Sequence, residues 1–128
     1  MLSTSDYIVN SLPLTVETLS KFDEKAFRAM KPASYFINVG RGKTVDELSL
    51  IRALKEGWIA GAGLDVFETE PLDTESELYS QPNVLLSPHC ADRVASSTNN
   101  VVATFLENAR RFASGEALLN IVNKQQGY

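Results

Sequence analysis

Arg41, Glu70 and His89 are the residues whose types and positions could carry chemistry in this chain, and each stands just beyond an apolar run. Arg41 closes Tyr35-Phe36-Ile37-Asn38-Val39, Glu70 follows the run Ala60 to Val66, and His89 follows Val84-Leu85-Leu86. An imidazole titrates near pH 6.5 and exchanges protons readily, a carboxylate can pair with it, and a guanidinium keeps its charge throughout. These are the ingredients of proton transfer beside a fixed positive charge. An open parallel sheet gathers the carboxyl ends of its strands along one edge, where such sheets bind ligands. One site could therefore hold all three residues, two from the stretch Ile37 to Pro71 and the third from Ser87-Pro88-His89.

The elements that must position them can be taken in order. Tyr7-Ile8-Val9 with Leu12, ending at Pro13, reads as a buried strand, because proline cannot donate a ladder hydrogen bond. Asp23 is placed to cap a short helix, Glu24 to Met30, which Pro32 ends. Tyr35 to Val39 is the second strand, and Gly40 and Gly42 bracket Arg41 so that the backbone can turn sharply. Thr44 with Glu47 matches a capping box, Leu48, Ile51, Leu54 and Trp58 recur at helical spacing on one face, and the helix is expected to stop at Gly57. Ala60 to Val66 is a third strand of small residues, with Pro71 as its exit, and Asp73 to Pro82 is a polar surface loop. Asn83 to Ser87 gives a fourth strand. From Arg93 onward Val101, Val102, Phe105, Leu106 and Phe112 form an apolar stripe on a helix of about five turns ending near Ser114-Gly115, most simply a core face. The tail, Glu116 to Tyr128, is mixed and expected to pack loosely. The alternation of strands and helices predicts an α/β layer structure with a mostly parallel sheet.

Composition narrows the function classes. The chain has 128 residues, 44% apolar, which suits about one domain. Its 16 acidic residues against 12 Lys plus Arg give a formal net charge of -4, and no basic block occurs, which argues against nucleic acid or an anionic membrane as partner. Cys90 is the only cysteine, so no internal disulfide, Cys-rich metal site or redox pair can be built within the chain. No apolar run approaches the roughly 20 residues of a membrane span, and the start lacks a secretory pattern. The expectation is a soluble, cytoplasmic protein without a metal.

Two nucleotide-like patterns fail on spacing. Gly42-Lys43-Thr44 resembles the end of a phosphate loop, but Ile37 stands where that loop needs glycine. Gly61-x-Gly63 opens a dinucleotide fingerprint, yet Val66 occupies the third glycine position and the run lies inside a strand.

The ordered set Asn38-Val39-Gly40-Arg41-Gly42, Gly61-Ala62-Gly63-Leu64-Asp65-Val66-Phe67-x-x-Glu70-Pro71 and Ser87-Pro88-His89 resembles the D-isomer-specific 2-hydroxyacid dehydrogenases. Leu12-Pro13-Leu14-Thr15 with Thr18, and Ala29-Met30-Lys31, are similar to that family as well, so the resemblance covers nearly the whole chain. It implies a partial Rossmann-type, doubly wound sheet with flanking helices and a long C-terminal helix. Residues 1–115 would correspond to the second half of the family's cofactor domain, including that helix, and 116–128 to a tail. The family's pyrophosphate-binding glycine turn, ribose-reading acid and substrate domain have no counterpart in these residues.

By the same resemblance, Arg41 would hold the carboxylate and polarise the carbonyl of a 2-oxo acid. His89 would be the general acid, and Glu70 would orient its imidazole. Leu12, Val39, Gly40, Arg41 and Asp65 would line NAD or NADP. Taken singly, Arg41 reads as a turn residue, Glu70 as a solvated carboxylate, His89 as a capping or core histidine, and Asp65 as a turn former. Their joint occurrence inside three family-like motifs favours a site. Cys90-Ala91-Asp92 departs from the small, glycine-containing run usual after the family's histidine, which affects the local loop, and Cys90 reads as a small, partly buried residue.

The implied activity is hydride transfer between a nicotinamide and a small 2-oxo or 2-hydroxy acid, of the glyoxylate, hydroxypyruvate or phosphoglycerate sort. The implied partners are a second copy of the chain or the missing N-terminal half. The alternative is a non-catalytic binding or oligomerisation module derived from the same fold, as in the related C-terminal-binding-protein corepressors.

Overall fold

The apolar runs become four short strands: β1 (Tyr7–Asn10), β2 (Tyr35–Asn38), β3 (Gly61–Leu64) and β4 (Val84–Leu86). In the computed structural model, which describes residues 1–128, they form one parallel sheet in the order β1-β2-β3-β4. Parallel neighbours need crossovers. The first two contain helices α1 (Glu24–Arg28) and α2 (Glu47–Lys55), and the third holds a 3-10 turn at Glu77–Ser80. A longer helix, α3 (Ser97–Ala113), follows β4. The chain forms two compact units, Met1–Cys90 and Ala91–Tyr128.

Strand alternation decides which face of the sheet is covered. Ile8, Phe36, Ala62 and Leu64 point to one face and form the core with Phe27, Met30, Leu50, Ile51 and Leu54 of α1, α2 and their flanks. Phe36 sits at its centre, 4.8 Å from the Phe22 ring and edge-on to Phe27 at 5.3 Å. Tyr7 and Val9 point the other way and are 67% and 59% exposed, so β1 is half-buried and not the buried strand its composition suggests. Tyr7 instead stacks on its register partner Tyr35, with ring centroids 5.8 Å apart.

One helix-level expectation holds and two change. Asp23 caps α1 as expected, its side chain accepting from Ala26 N at 2.8 Å. The cap of α2, however, is Asp46, which accepts from Ser49 N, and the Thr44–Glu47 box does not form. A 3-10 turn at Gly42–Thr44 and an extended Val45 come first, so the helix begins later and Thr44 turns inward. The buried face of α2 is accordingly Leu50, Ile51, Ala53 and Leu54, whereas Leu48 is 77% exposed. In the loop Asp73 to Pro82, Leu78 of the 3-10 turn is 1% exposed and plugs the core.

In the second unit, α3 has no buried residue: Val101 and Phe105 are each 69% exposed and Phe112 79%, so the stripe is not a core face. Glu107 pairs with Arg110 and Arg111, which hold its carboxyl down at about 2. The exposed tail is pinned back by Asn108, whose side chain both donates to Leu119 O and accepts from Leu119 N. No helix of the chain is long and apolar enough to cross a membrane.

Candidate active site

All strands run the same way, so their carboxyl ends deliver Leu12, Arg41, Asp65 and His89 to one edge of the sheet. Two buried polar clusters shape that edge. Under the Arg41 turn, Asn10 and Asn38 end β1 and β2 in register, each 1% exposed, with Thr44 fully buried beside them. Asn10 Nδ2 donates to Asn38 Oδ1 at 2.9 Å and to Thr44 Oγ1 at 2.6 Å. The cluster's remaining bonds go to main chain. Leu12 N donates to Asn10 Oδ1, Gly40 N donates to Asn38 Oδ1, and Thr44 Oγ1 donates to Arg41 O at 2.6 Å. No buried side-chain polar atom lacks a partner, which is what such a site requires.

Glycine is needed here for proximity. A Cβ on Gly40 would lie 2.7 Å from Leu12 O, and one on Gly42 would lie 1.7 Å from Phe67 O. Gly42 therefore presses the Arg41 turn directly against the segment leading to Glu70. Glu68 N donates to Glu47 Oε2 at 3.1 Å on the same seam.

His89 and Glu70 meet directly, with Nδ1 2.7 Å from Oε2. The other Glu70 oxygen accepts from Phe67 N at 3.0 Å, so the carboxylate is held from both sides. The hydrogen bond from His89 is the main reason the Glu70 carboxyl lies below its ordinary range; partial burial opposes this, and Phe67 N–H and the Arg41 charge add to it. Arg41 is exposed and its Nη1 donates to Gly40 O at 2.8 Å. A cleft of about 590 Å³ opens beside the pair, lined by Phe67, Leu72, Tyr79 and Leu86 together with Glu70 and His89, but not by Arg41.

Behind His89, Asp65 is buried at the end of β3. Its Oδ1 accepts from Ser87 Oγ at 2.5 Å and from Cys90 N at 2.9 Å. Leu12 and Val39 stand partly exposed just past or at the ends of β1 and β2, with Gly40 packed tightly against the Leu12 main chain. The residues singled out in the sequence thus sit along one edge. Asn10, Thr44 and Ser87 were given no part in the site by the sequence, although for Asn10 a signal existed: Tyr-Ile-Val-Asn and Tyr-Phe-Ile-Asn both end an apolar run on an asparagine.

Residues 1–91 match the D-isomer specific 2-hydroxyacid dehydrogenase, NAD binding domain. The chain belongs to this family. Among dehydrogenase relatives, a glyoxylate reductase of Thermococcus gammatolerans is 44% identical over 125 residues, 98% of this chain and 37% of the relative. A family member from Xanthobacter autotrophicus, solved in complex with NADPH and MES, superposes with a TM-score of 0.92 at 42% identity, covering 99% of this chain and 52% of that one. The NADPH-dependent glyoxylate/hydroxypyruvate reductase of Sinorhizobium meliloti, in complex with NADP and sulfate, gives 0.91 at 36% identity, covering 99% and 41%. The likeness establishes a Rossmann-like NAD-binding fold in four parallel strands. The chain spans 37% of the length of the Thermococcus dehydrogenase relative.

Proposed function

We propose that this chain carries the acid–base and carboxylate-binding groups of a nicotinamide-dependent 2-hydroxyacid oxidoreductase acting on a small 2-oxo acid of the glyoxylate or hydroxypyruvate kind. The observation that carries the reading is the 2.7 Å contact of His89 Nδ1 with Glu70 Oε2, in a turn packed against that of Arg41. With Nδ1 occupied by the carboxylate, the imidazole's Nε2 is the atom left to give a proton to a substrate carbonyl oxygen. Glu70 supports the imidazolium and fixes the ring plane. Arg41, permanently charged and forked, suits a substrate carboxylate.

The edge formed by Leu12, Val39, Gly40 and Arg41, with Asp65 below, fits the nicotinamide end of NAD or NADP: apolar side chains stand with a close-packed glycine and polar main chain. The bound nicotinamide supplies the hydride that reduces the carbonyl carbon. The chain's own groups bind the carboxylate, polarise the carbonyl and transfer the proton. We read residues 1–115 as cofactor-domain sequence and 116–128 as its tail.

The test is fluorescence titration with NADH and NADPH, paired with a glyoxylate and hydroxypyruvate reduction assay. Saturable binding, with turnover falling on the order of 10²–10⁴-fold in His89→Ala, is expected. A folded protein that binds neither cofactor at millimolar concentration overturns the proposal. A second reading, a non-catalytic association module, draws on the exposed apolar residues of α3. Light scattering showing a stable oligomer together with absent cofactor binding would select it.

A further inference from the structure

We propose that Asp65 is a positioning residue for His89, holding the loop at and on both sides of the imidazole. The inference rests on the reading of His89 as the proton donor and adds to it a reason for the buried carboxylate.

Asp65 is 4% exposed, and a carboxylate in such a place must be hydrogen-bonded to be tolerated. Three of its bonds converge on one segment. Oδ1 accepts from the Ser87 hydroxyl at 2.5 Å and from Cys90 N at 2.9 Å, while its main-chain carbonyl accepts from His89 N at 2.8 Å. The partners are residues 87, 89 and 90, so the anchor grips His89 itself and both of its flanks.

The backbone at His89 explains why a grip is needed. Its φ is +50°, in the left-handed region that residues other than glycine rarely occupy. Such a conformation persists only where the surroundings over-determine it. Glu70, the other half of the pair, is tied independently through Phe67 N. If the two side-chain bonds to Ser87 and Cys90 were lost, the main-chain bond to His89 N would be left alone to hold the turn, and residue 89 would relax toward the extended or right-handed regions, redirecting its side chain, while Glu70 stayed behind. Glu70 on the β3 exit is the charged group in contact with the imidazole, Arg41 on the β2 exit acts on Glu70 through its charge, and Asp65 bonds the loop that carries His89. Asp65 reaches the main chain of the loop at His89 N and Cys90 N. The structure also gives Cys90 a part that does not involve its thiol, since it contributes its N–H.

His89 is the only histidine, so its ring gives one unambiguous set of NMR lines. The experiment uses the full chain without cofactor or substrate. In the wild type, a downfield line from the Nδ1 proton shared with Glu70 is expected, and the Glu70 carboxyl carbon should titrate below the ordinary carboxylate range. Asp65→Ala should abolish the downfield line and move the Glu70 midpoint up toward its ordinary value. Asp65→Asn, which keeps an acceptor oxygen, and Ser87→Ala, which removes one bond, should shift the midpoint the same way by less. A role confined to supporting the fold would disturb amide signals without moving that midpoint. A folded Asp65→Ala protein with line and midpoint unchanged overturns the proposal. If Asp65→Ala does not fold, an unchanged midpoint in Ser87→Ala does so. Because no ligand is present, the outcome is independent of whether the chain binds cofactor or turns over.

Discussion

The Nδ1 atom of His89 lies 2.7 Å from Oε2 of Glu70, although 19 residues separate them in sequence. The pair bridges the exits of β4 and β3, and it couples the ionisation of Glu70 to the fold. Glu70 has its folded pKa lowered chiefly by the His89 hydrogen bond, so its contribution to stability is present above the unfolded value and lost as pH falls through the folded one. Glu70→Gln should therefore be less stable than wild type at pH 7, with the gap closing at pH 3. The pair is half-exposed, with side-chain exposures of 47% and 35%, so the gap should be no more than about 1 kcal/mol. Urea unfolding at the two pH values measures it.

Gly42 should be among the least replaceable residues of the edge. A Cβ 1.7 Å from Phe67 O cannot be accommodated without moving the backbone of one turn or the other. Gly42→Ala is expected to cost about 3 kcal/mol, at the upper end of overpacking effects. Gly57→Ala, at φ +70° with open space around it, should cost only about 1 kcal/mol. Thermal denaturation of both variants gives the comparison.

The Asn10–Asn38–Thr44 cluster predicts non-additivity. Thr44→Val removes the hydroxyl between Asn10 Nδ2 and Arg41 O, leaving buried partners unmet at a cost of about 1–3 kcal/mol. Asn10→Ala should cost a similar amount. The double variant should cost clearly less than the sum, since each single change already breaks the shared bond. A chemical-denaturation double-mutant cycle decides this, and full additivity would count against the network.

Glu47 behaves in the opposite sense to Glu70. Burial raises its pKa, the Glu68 N–H opposes this, and the Glu68 carboxylate adds to the rise. A folded pKa above the unfolded one means that the carboxyl destabilises the fold once ionised, and that this penalty is relieved as pH falls. Glu47→Gln, which keeps an acceptor for Glu68 N, should match or exceed wild-type Tm at pH 7. The advantage should shrink at pH 4, which calorimetry at the two pH values would register.

The strands and the edge residues were legible because they depend on short-range pattern. Apolar runs punctuated by Gly-Arg-Gly, Glu-Pro and Ser-Pro-His gave the strand exits directly. What sequence pattern could not convey was anything set by a neighbour. The capping box at Thr44 and Glu47 is locally sound, but Thr44 is more strongly satisfied by Asn10 and Arg41, and the helix starts later as a result. Leu48 is exposed and Leu50 buried because the buried arc of α2, Leu50, Ile51, Ala53 and Leu54, is the one packed into the core. Leu78 reads as part of a polar loop because one core contact leaves no periodicity. The α3 stripe is periodic as expected, yet periodicity identifies an apolar face without saying whether the chain itself covers it.

The two polar clusters share no residue: one holds Arg41 through Asn10, Asn38 and Thr44, the other holds the His89 loop through Asp65 and Ser87. They behave as separate mountings for two tools, and the tight abutment of Gly42 on Phe67 is a direct joint between them. Sequence drift in one mounting can therefore retune its own tool without misaligning the other. A change at the joint would alter the spacing between the Arg41 turn and the His89–Glu70 pair.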